Sequence, residues 1–340
     1  MYDIITFGSA TIDTFLKLRD GDYRISKDDR FSSGKSFCLP LGSKILMIDD
    51  LKVSSGGGGT NTACTFSKQG FKVNYIGKVG NDERGKELIG ELKKFKIGTR
   101  FVKKDKDYPT AFSLILSSSI GERTALIYRG ACHFMRESDI PWLGDSPRSG
   151  TVPKWFYLAP LSGDSSQVFG PLVKFAKKNN IKVAANLGNS QIIGTVPEWG
   201  LSLRKILSQL DVLILNKEEA SLLTKISPEK EKEMIKRLSS STKGIVVVTR
   251  GKKGSIVSDG KYIFEAGAPS VLAVEATGAG DAYGSGFLSG LLEKNNIEYA
   301  IQLATANATS CTQKIGAKNG LLQKGKWGPW PRVKVKKKLL

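Results

Sequence analysis

The chain has 340 residues, 40% of them apolar and 25% charged, and its 52 Lys and Arg against 32 Asp and Glu leave a net charge of +20. That length holds one large α/β domain or two ordinary ones with a sizeable core. No apolar run of 18 residues marks a membrane helix, and the start Met1-Tyr2-Asp3-Ile4-Ile5-Thr6-Phe7-Gly8 lacks the pattern of a signal peptide, so a cytosolic (cytoplasmic) protein is expected. One histidine, His133, and four scattered cysteines (Cys38, Cys64, Cys132, Cys311) argue against a zinc cluster and a disulfide framework.

In chain order, short apolar runs at 3–8, 73–77, 155–158, 181–186, 211–215, 245–249 and 271–274 predict strands. Amphipathic stretches at 61–69, 82–94, 165–179, 217–223, 228–239, 279–293 and 297–313 predict helices between or after them. This alternation implies βαβ crossovers and a doubly wound, mostly parallel sheet flanked by helices. Two stretches, 14–50 and 98–128, break the rhythm. Segments such as Ala111-Phe112-Ser113-Leu114-Ile115-Leu116 and Thr124-Ala125-Leu126-Ile127-Tyr128 alternate with period two, the pattern of half-exposed strands. They predict a small β-sheet lid standing off the main domain. The domain is expected to run over 1–322, and 323–340 to form a basic C-terminal tail containing Trp327 and Trp330.

Two glycine clusters carry the chemistry. Gly56-Gly57-Gly58-Gly59-Thr60-Asn61 precedes a helix, where missing side chains let a ligand approach backbone N–H groups, although a flexible turn would look the same. Asn61 both donates and accepts, which suits a polyol. Thr277-Gly278-Ala279-Gly280-Asp281 opens the helix 279–293, a place that favours an anion. A carboxylate there repels phosphate, so Asp281 is either a general base for an incoming hydroxyl or a helix cap. The strand at 211–215 ends at Asn216-Lys217-Glu218-Glu219, and the strand at 245–249 leads into Arg250-Gly251-Lys252-Lys253-Gly254. Ligands of doubly wound folds collect at such strand ends. There is no Gly-x-x-x-x-Gly-Lys-Ser/Thr loop, no dinucleotide fingerprint and no Gly-x-Ser-x-Gly elbow, and His133 reads as structural or surface.

These residues resemble the ribokinase-like (PfkB-type) family of carbohydrate and nucleoside kinases. Gly56 to Ala63, Gly70, Gly77-Lys78-Val79-Gly80, Asn216-x-x-Glu219, Thr249-x-Gly251 and Gly278-Ala279-Gly280-Asp281 occur in the family's order over roughly residues 3–320. The resemblance implies an ATP- and Mg²⁺-dependent phosphotransferase with a sugar as acceptor, or a nucleoside on the same fold. A non-catalytic ligand-binding member is the alternative from another class. It implies Asp281 as base and Gly278, Ala279 and Gly280 as the anion hole. Asp13, Gly57, Asn61 and Arg129 would bind the acceptor. Thr249, Gly251, Gly254 and Thr305 would line the nucleotide, and Asn216 and Glu219 would place Mg²⁺ and phosphates through water. The family's signature opens with Asp-Thr where this chain has Glu275-Ala276, so Glu275 and Thr277 are expected either to hold K⁺ or to displace it. Phe37, Leu39, Phe112 and Leu114 are available as a shelf for a base. The lid's apolar face is expected to pair with a second copy, and the basic charge to give weak, non-specific polyanion binding.

Overall fold

The computed structural model describes residues 2–31, 34–45, 51–118, 123–143, 152–193, 203 and 205–340. Parts of the expected lid, 32–33, 46–50 and 119–122, lie outside the described residues.

The expected sheet is present. Its parallel strands are β1 (Ile4–Phe7), β6 (Val73–Ile76), β11 (Trp155–Leu158), β12 (Lys182–Asn186), β13 (Val212–Asn216) and β14 (Ile245–Thr249). Antiparallel strands β15 (Ser255–Ser258), β16 (Tyr262–Ala266) and β17 (Val335–Leu339) extend it, in the order β17-β16-β15-β14-β13-β12-β11-β1-β6. Alternate residues of each strand enter two separate cores. Tyr75, Tyr157, Ala184 and Ile214 face α1 (Gly58–Lys68), α2 (Glu83–Lys94), α7 (Ala279–Lys294) and α8 (Ile297–Thr312). Phe156, Leu158, Val183 and Leu213 face α3 (Phe169–Lys178), α5 (Lys217–Thr224) and α6 (Glu231–Ser241), while a short α4 (Asn189–Ile193) follows β12. This period-two division between covered faces makes the strands read as continuous apolar runs.

Helices α7 and α8 pack backbone to backbone. A Cβ on Gly290 would lie 2.7 Å from Ala300 Cα, and one on Gly286 would lie 3.1 Å from Ala304 Cα. Glycines so placed cost helix propensity, and here they set how closely α7 packs on α8. Helix α2 starts where its cap dictates, with the Asp82 carboxylate accepting from the Gly85 N–H at 2.8 Å.

Three expectations need correction. Residues 271–274 are not a strand: Leu272 is 89% exposed, and the place beside β14 belongs to β15 of an antiparallel hairpin that periodicity did not separate. The lid is a four-stranded sheet, β10-β9-β2-β5, of β2 (Thr11–Lys17), β5 (Lys52–Gly56), β9 (Ala111–Ser117) and β10 (Arg123–Tyr128). It therefore includes 52–56, beyond the expected stretch, whereas β8 (Lys103–Asp105) leaves it to pair with β7 (Lys78–Gly80). The basic segment after 323 does not stand apart either. Val335–Leu339 pairs with β16, the Gln302 side chain brackets Val333 by bonds of 2.6 and 3.0 Å, and Trp327 packs edge-on against Tyr299 at 5.3 Å.

Candidate active site

Strand order reverses at β1, which has β6 on one side and β11 on the other. Crevices form at the carboxyl end of a sheet at such a switch point. The glycine run fills this one. Gly8, after β1, lies against Gly59, and a Cβ on Gly58 would lie 3.2 Å from Ala159 Cβ, just after β11, and 3.3 Å from Asp281 Oδ1. Gly57 has φ +95°, and a Cβ there would stand 2.4 Å from the Ser9 carbonyl oxygen, so the turn requires glycine. Helix α1 therefore begins at Gly58, earlier than its apolar periodicity suggests, and Asn61 falls in its first turn.

Two helix N-termini thus meet, α1 and α7. The Asn61 amide donates to Asp281 Oδ2 at 2.9 Å, bridging 220 residues of sequence. Asn61 Oδ1 is buried without a protein partner, and leaving such a group unpaired costs about 1–3 kcal/mol. Asp281 is partly buried at the head of α7, and burial raises its carboxyl above the ordinary carboxylate range. The Asn61 bond opposes that shift, and the nearby Asp13 charge adds to it.

Asp13, 6% exposed on β2, is the second carboxylate. It accepts from Thr11 Oγ1 at 3.0 Å and from the Ser113 hydroxyl on β9, and burial raises its pKa too. Ser113 escaped the sequence reading because only the β2–β9 register sets it opposite Asp13. That register also turns Phe112 and Leu114 to the other face. Phe37 stacks on Tyr23 in the hairpin of β3 (Arg24–Lys27) and β4 (Lys35–Cys38), and Leu39 is exposed.

The residues expected to form an anion hole lie at the other side of Asp281. Gly278 takes φ +79°, and its Cβ would collide with Ala317. A Cβ on Gly280 would meet no atom within 4 Å: that side of the backbone is open to the cleft. The first N–H groups of α7 lack helical acceptors, so the turn and dipole together suit an anion. Gly278, Gly280 and Asp281 share a cavity of about 200 Å³ with Asn216, Glu219, Thr249 and Asn186. Asn186 was missed, yet it ends an apolar strand as Asn216 does, and that signal was readable.

Asn216 and Glu219 form a reciprocal cap on α5: Glu219 N–H donates to Asn216 Oδ1 at 2.7 Å, and Asn216 N–H to Glu219 Oε2 at 2.8 Å. Burial pushes the Glu219 carboxyl up to about 7, and the charges of Glu218 and Asp281 contribute. A buried carboxylate with one oxygen spare and a negative neighbour fits a hydrated Mg²⁺, so the pair suits the expected role. Among the described residues no cluster of three or more His, Cys, Asp or Glu could ligate a metal directly.

Next to this cavity a second, more apolar one of about 250 Å³ is lined by Thr249, Gly251, Gly254, Ala279, Tyr283 and Thr305, among others. The four expected nucleotide residues are therefore together. Gly254 has φ +85°, and a Cβ there would lie 2.1 Å from the Ala266 carbonyl oxygen, which fixes the bend after β14. Tyr283, buried beside Thr305 with its hydroxyl 2.6 Å from Ser255 Oγ, was not anticipated.

Three expected residues stand differently. Arg129 is exposed beyond β10, and its carbonyl accepts from the Cys132 thiol at 2.9 Å; the structure does not bring it to Asp13 or Asn61. Glu275 and Thr277 do not fit K⁺. Both carboxylate oxygens of Glu275 are engaged by Thr277, through its N–H at 2.8 Å and its hydroxyl at 2.7 Å, and the Arg123 guanidinium pairs with the same carboxylate. His133 is half-buried against Gly163 and Phe134, a packing role, and all four cysteines are free thiols.

The fold is thus a doubly wound sheet with a β lid, and two adjacent cavities share Thr249 and Gly280, with the Asp281 carboxylate lining one of them. The chain belongs to the pfkB family of carbohydrate kinases, whose family model matches residues 41–324. It is 28% identical to a ribokinase of Haemophilus influenzae over 79% of this chain and 85% of that one. It is 24% identical to an ATP-dependent 6-phosphofructokinase of Thermoanaerobacterium thermosaccharolyticum over 93% and 89%. The solved structure of Arabidopsis thaliana ribokinase complexed with ribose and ATP shares the fold, with a TM-score of 0.72 at 21% identity over 95% and 96%.

Proposed function

We propose that this enzyme transfers the γ-phosphate of ATP to a hydroxyl of a small sugar or sugar derivative, with Asp281 as general base. The observation that carries this reading is the Asp281 carboxylate, raised in pKa, tied to Asn61 and flanked by the open backbone of Gly280. A base tuned upward toward the working pH transfers protons most effectively. The acceptor hydroxyl gives its proton to Asp281 as its oxygen bonds to the γ-phosphorus. The bond from that phosphorus to the bridging oxygen breaks, and ADP leaves with the electron pair. The Gly278–Gly280 turn supports the charge on the transferring group. Mg²⁺, when bound near Glu219 and Asn216, supplies charge neutralisation of the phosphates.

A Cβ on Gly56 would touch Asp13 Oδ2, and one on Gly58 would approach Asp281 Oδ1, so the two carboxylates flank the same glycine turn. The turning away of Phe112 and Leu114 removes the shelf that a nucleoside base would use on this lid face, which favours the sugar.

Asp281→Asn keeps the size and an oxygen for Asn61, so folding and ATP binding are expected to survive while kcat falls on the order of 10²–10⁴-fold. Steady-state transfer to a panel of sugars and nucleosides, with calorimetric ATP binding, measures this. A variant turning over at the parent rate would make Asp281 a helix cap.

The lid's β10 exposes Leu126 (56%), Ile127 (53%) and Tyr128 (40%), an apolar edge strand left uncovered. Such edges pair with another chain or are protected, and a second copy through this strand is our reading of it. Sedimentation velocity at micromolar protein should give a dimer that Leu126→Lys dissociates; a parent monomer would refute it.

A further inference from the structure

The loop that opens α7 is held from the lid. Glu275, its side chain 9% exposed, gives both oxygens to Thr277 and so cups the turn one residue before Gly278. Against that carboxylate lies the guanidinium of Arg123, the first residue of β10, which also donates to Thr277 Oγ1 at 2.8 Å. The Thr277 hydroxyl therefore donates to Glu275 and accepts from Arg123, and the three side chains close a ring. Arg123 and Thr277 are 154 residues apart in the chain, and one belongs to the lid and the other to the anion hole.

We propose that Arg123 is a positioning residue for phosphoryl transfer: its guanidinium, brought by the lid, is the resident cation of the Glu275–Thr277 loop and sets the Gly278–Ala279–Gly280 turn in place of a metal cation from solution. The inference rests on the kinase reading above. A buried carboxylate needs a counter-charge, and a planar guanidinium with several fixed donors satisfies a carboxylate and a hydroxyl at once. A second cation is disfavoured beside it, since like charges at contact distance repel. Glutamate, longer than aspartate by one methylene, can meet a partner arriving from another sheet. The charge is present only when β10 lies over the loop, so lid position and hole geometry are linked.

The test uses the full-length parent, Arg123→Ala and Arg123→Lys. Transfer to the sugar panel is measured in potassium, sodium and tetramethylammonium chloride at one ionic strength, with and without millimolar guanidinium. The parent should be indifferent to the salt. Arg123→Ala should lose on the order of 10–100-fold in kcat, as displaced catalytic geometry does, with little change in the acceptor's KM. Guanidinium should restore part of that rate, and Arg123→Lys should keep most of it. A parent that needs K⁺ overturns the proposal. So does an Ala variant at the parent rate, or one whose loss tracks its melting temperature and answers to no cation. If the parent transfers to none of the acceptors, the kinase reading fails separately. Calorimetry with the Mg²⁺ complex of a β,γ-imido ATP analogue then decides on Arg123: weakened binding restored by guanidinium supports the role, and unchanged binding refutes it.

Discussion

Burial does the chemical work at individual residues of the cleft. Asp13, Asp281 and Glu219 are all shifted upward, because each carboxylate is drawn from water with too little positive charge to compensate. For Glu219 the sign of the consequence can be worked out. Its unfolded value is 4.5 and its folded value about 7. Below the lower value both states are protonated and the shift has no effect. Between the two the unfolded chain releases a proton that the native state keeps, so stability falls as pH rises through that window and stays reduced above it. Glu219→Gln retains an acceptor for the Asn216 N–H and cannot ionise. The variant should therefore lose less melting temperature than the parent between pH 4.5 and 7, as followed by circular dichroism. Parallel curves would mean that the carboxyl is not shifted. With Asp281 as the proposed base, the acid limb of kcat/KM should lie above the ordinary carboxylate range.

Local geometry makes opposite demands on the two glycines at the start of α7, Gly278 at its cap and Gly280 in its first turn. A methyl on Gly278 meets Ala317 at 2.4 Å and a left-handed backbone, whereas a methyl on Gly280 meets nothing. Gly278→Ala should cost about 1–3 kcal/mol of stability, the range for a strained non-glycine backbone. It also pushes on the segment that carries Lys318, whose buried ammonium donates to Ser55 of lid strand β5 at 2.7 Å. Gly280→Ala should leave the melting temperature unchanged or raised, since Ala suits a helix better than Gly, yet weaken ATP binding by filling the open side of the hole. Calorimetry and thermal melts on both variants check this. A Gly280→Ala protein that binds ATP like the parent would show that the nucleotide's phosphates lie elsewhere.

The last 18 residues link both themes across the molecule. They read as a solvated basic tail from their charge alone, but β17 covers the β16 edge. Lys337 lies over the Tyr262 ring at 4.2 Å, and Lys338 lies 3.7 Å from Glu265. Lysines on an edge strand also discourage further pairing there. Trp327, Trp330 and Thr305 line a small cavity that shares Pro269 and Thr305 with the proposed nucleotide pocket. Truncation after Leu322 is therefore expected to lower the melting temperature and raise the KM for ATP, and not to be silent. Unchanged values for both would return the segment to a dispensable tail. With seven basic residues removed, affinity for heparin should fall as well, and steeply with salt in the parent.

Sequence alone determined the alternating strands and helices, because parallel strands covered on both faces must be apolar throughout and the helices between them amphipathic. It also identified the backbone-defined parts of the site, the Gly56–Gly59 and Gly278–Gly280 turns with Asn61 and Asp281, since close approach and positive φ admit few residues other than glycine. The run at 271–274 misled because hydrophobicity does not record whether a neighbouring strand has room for it, and a hairpin had taken that place. Ser113, Arg123, Tyr283 and Lys318 became visible only in three dimensions. Each is an ordinary polar residue locally, and each gains its role from a register or a contact across 28 or more positions of chain. Burial decided the rest: the same carboxylates carry ordinary pKa values in an open chain, and only the closed fold removes the water that would keep them there.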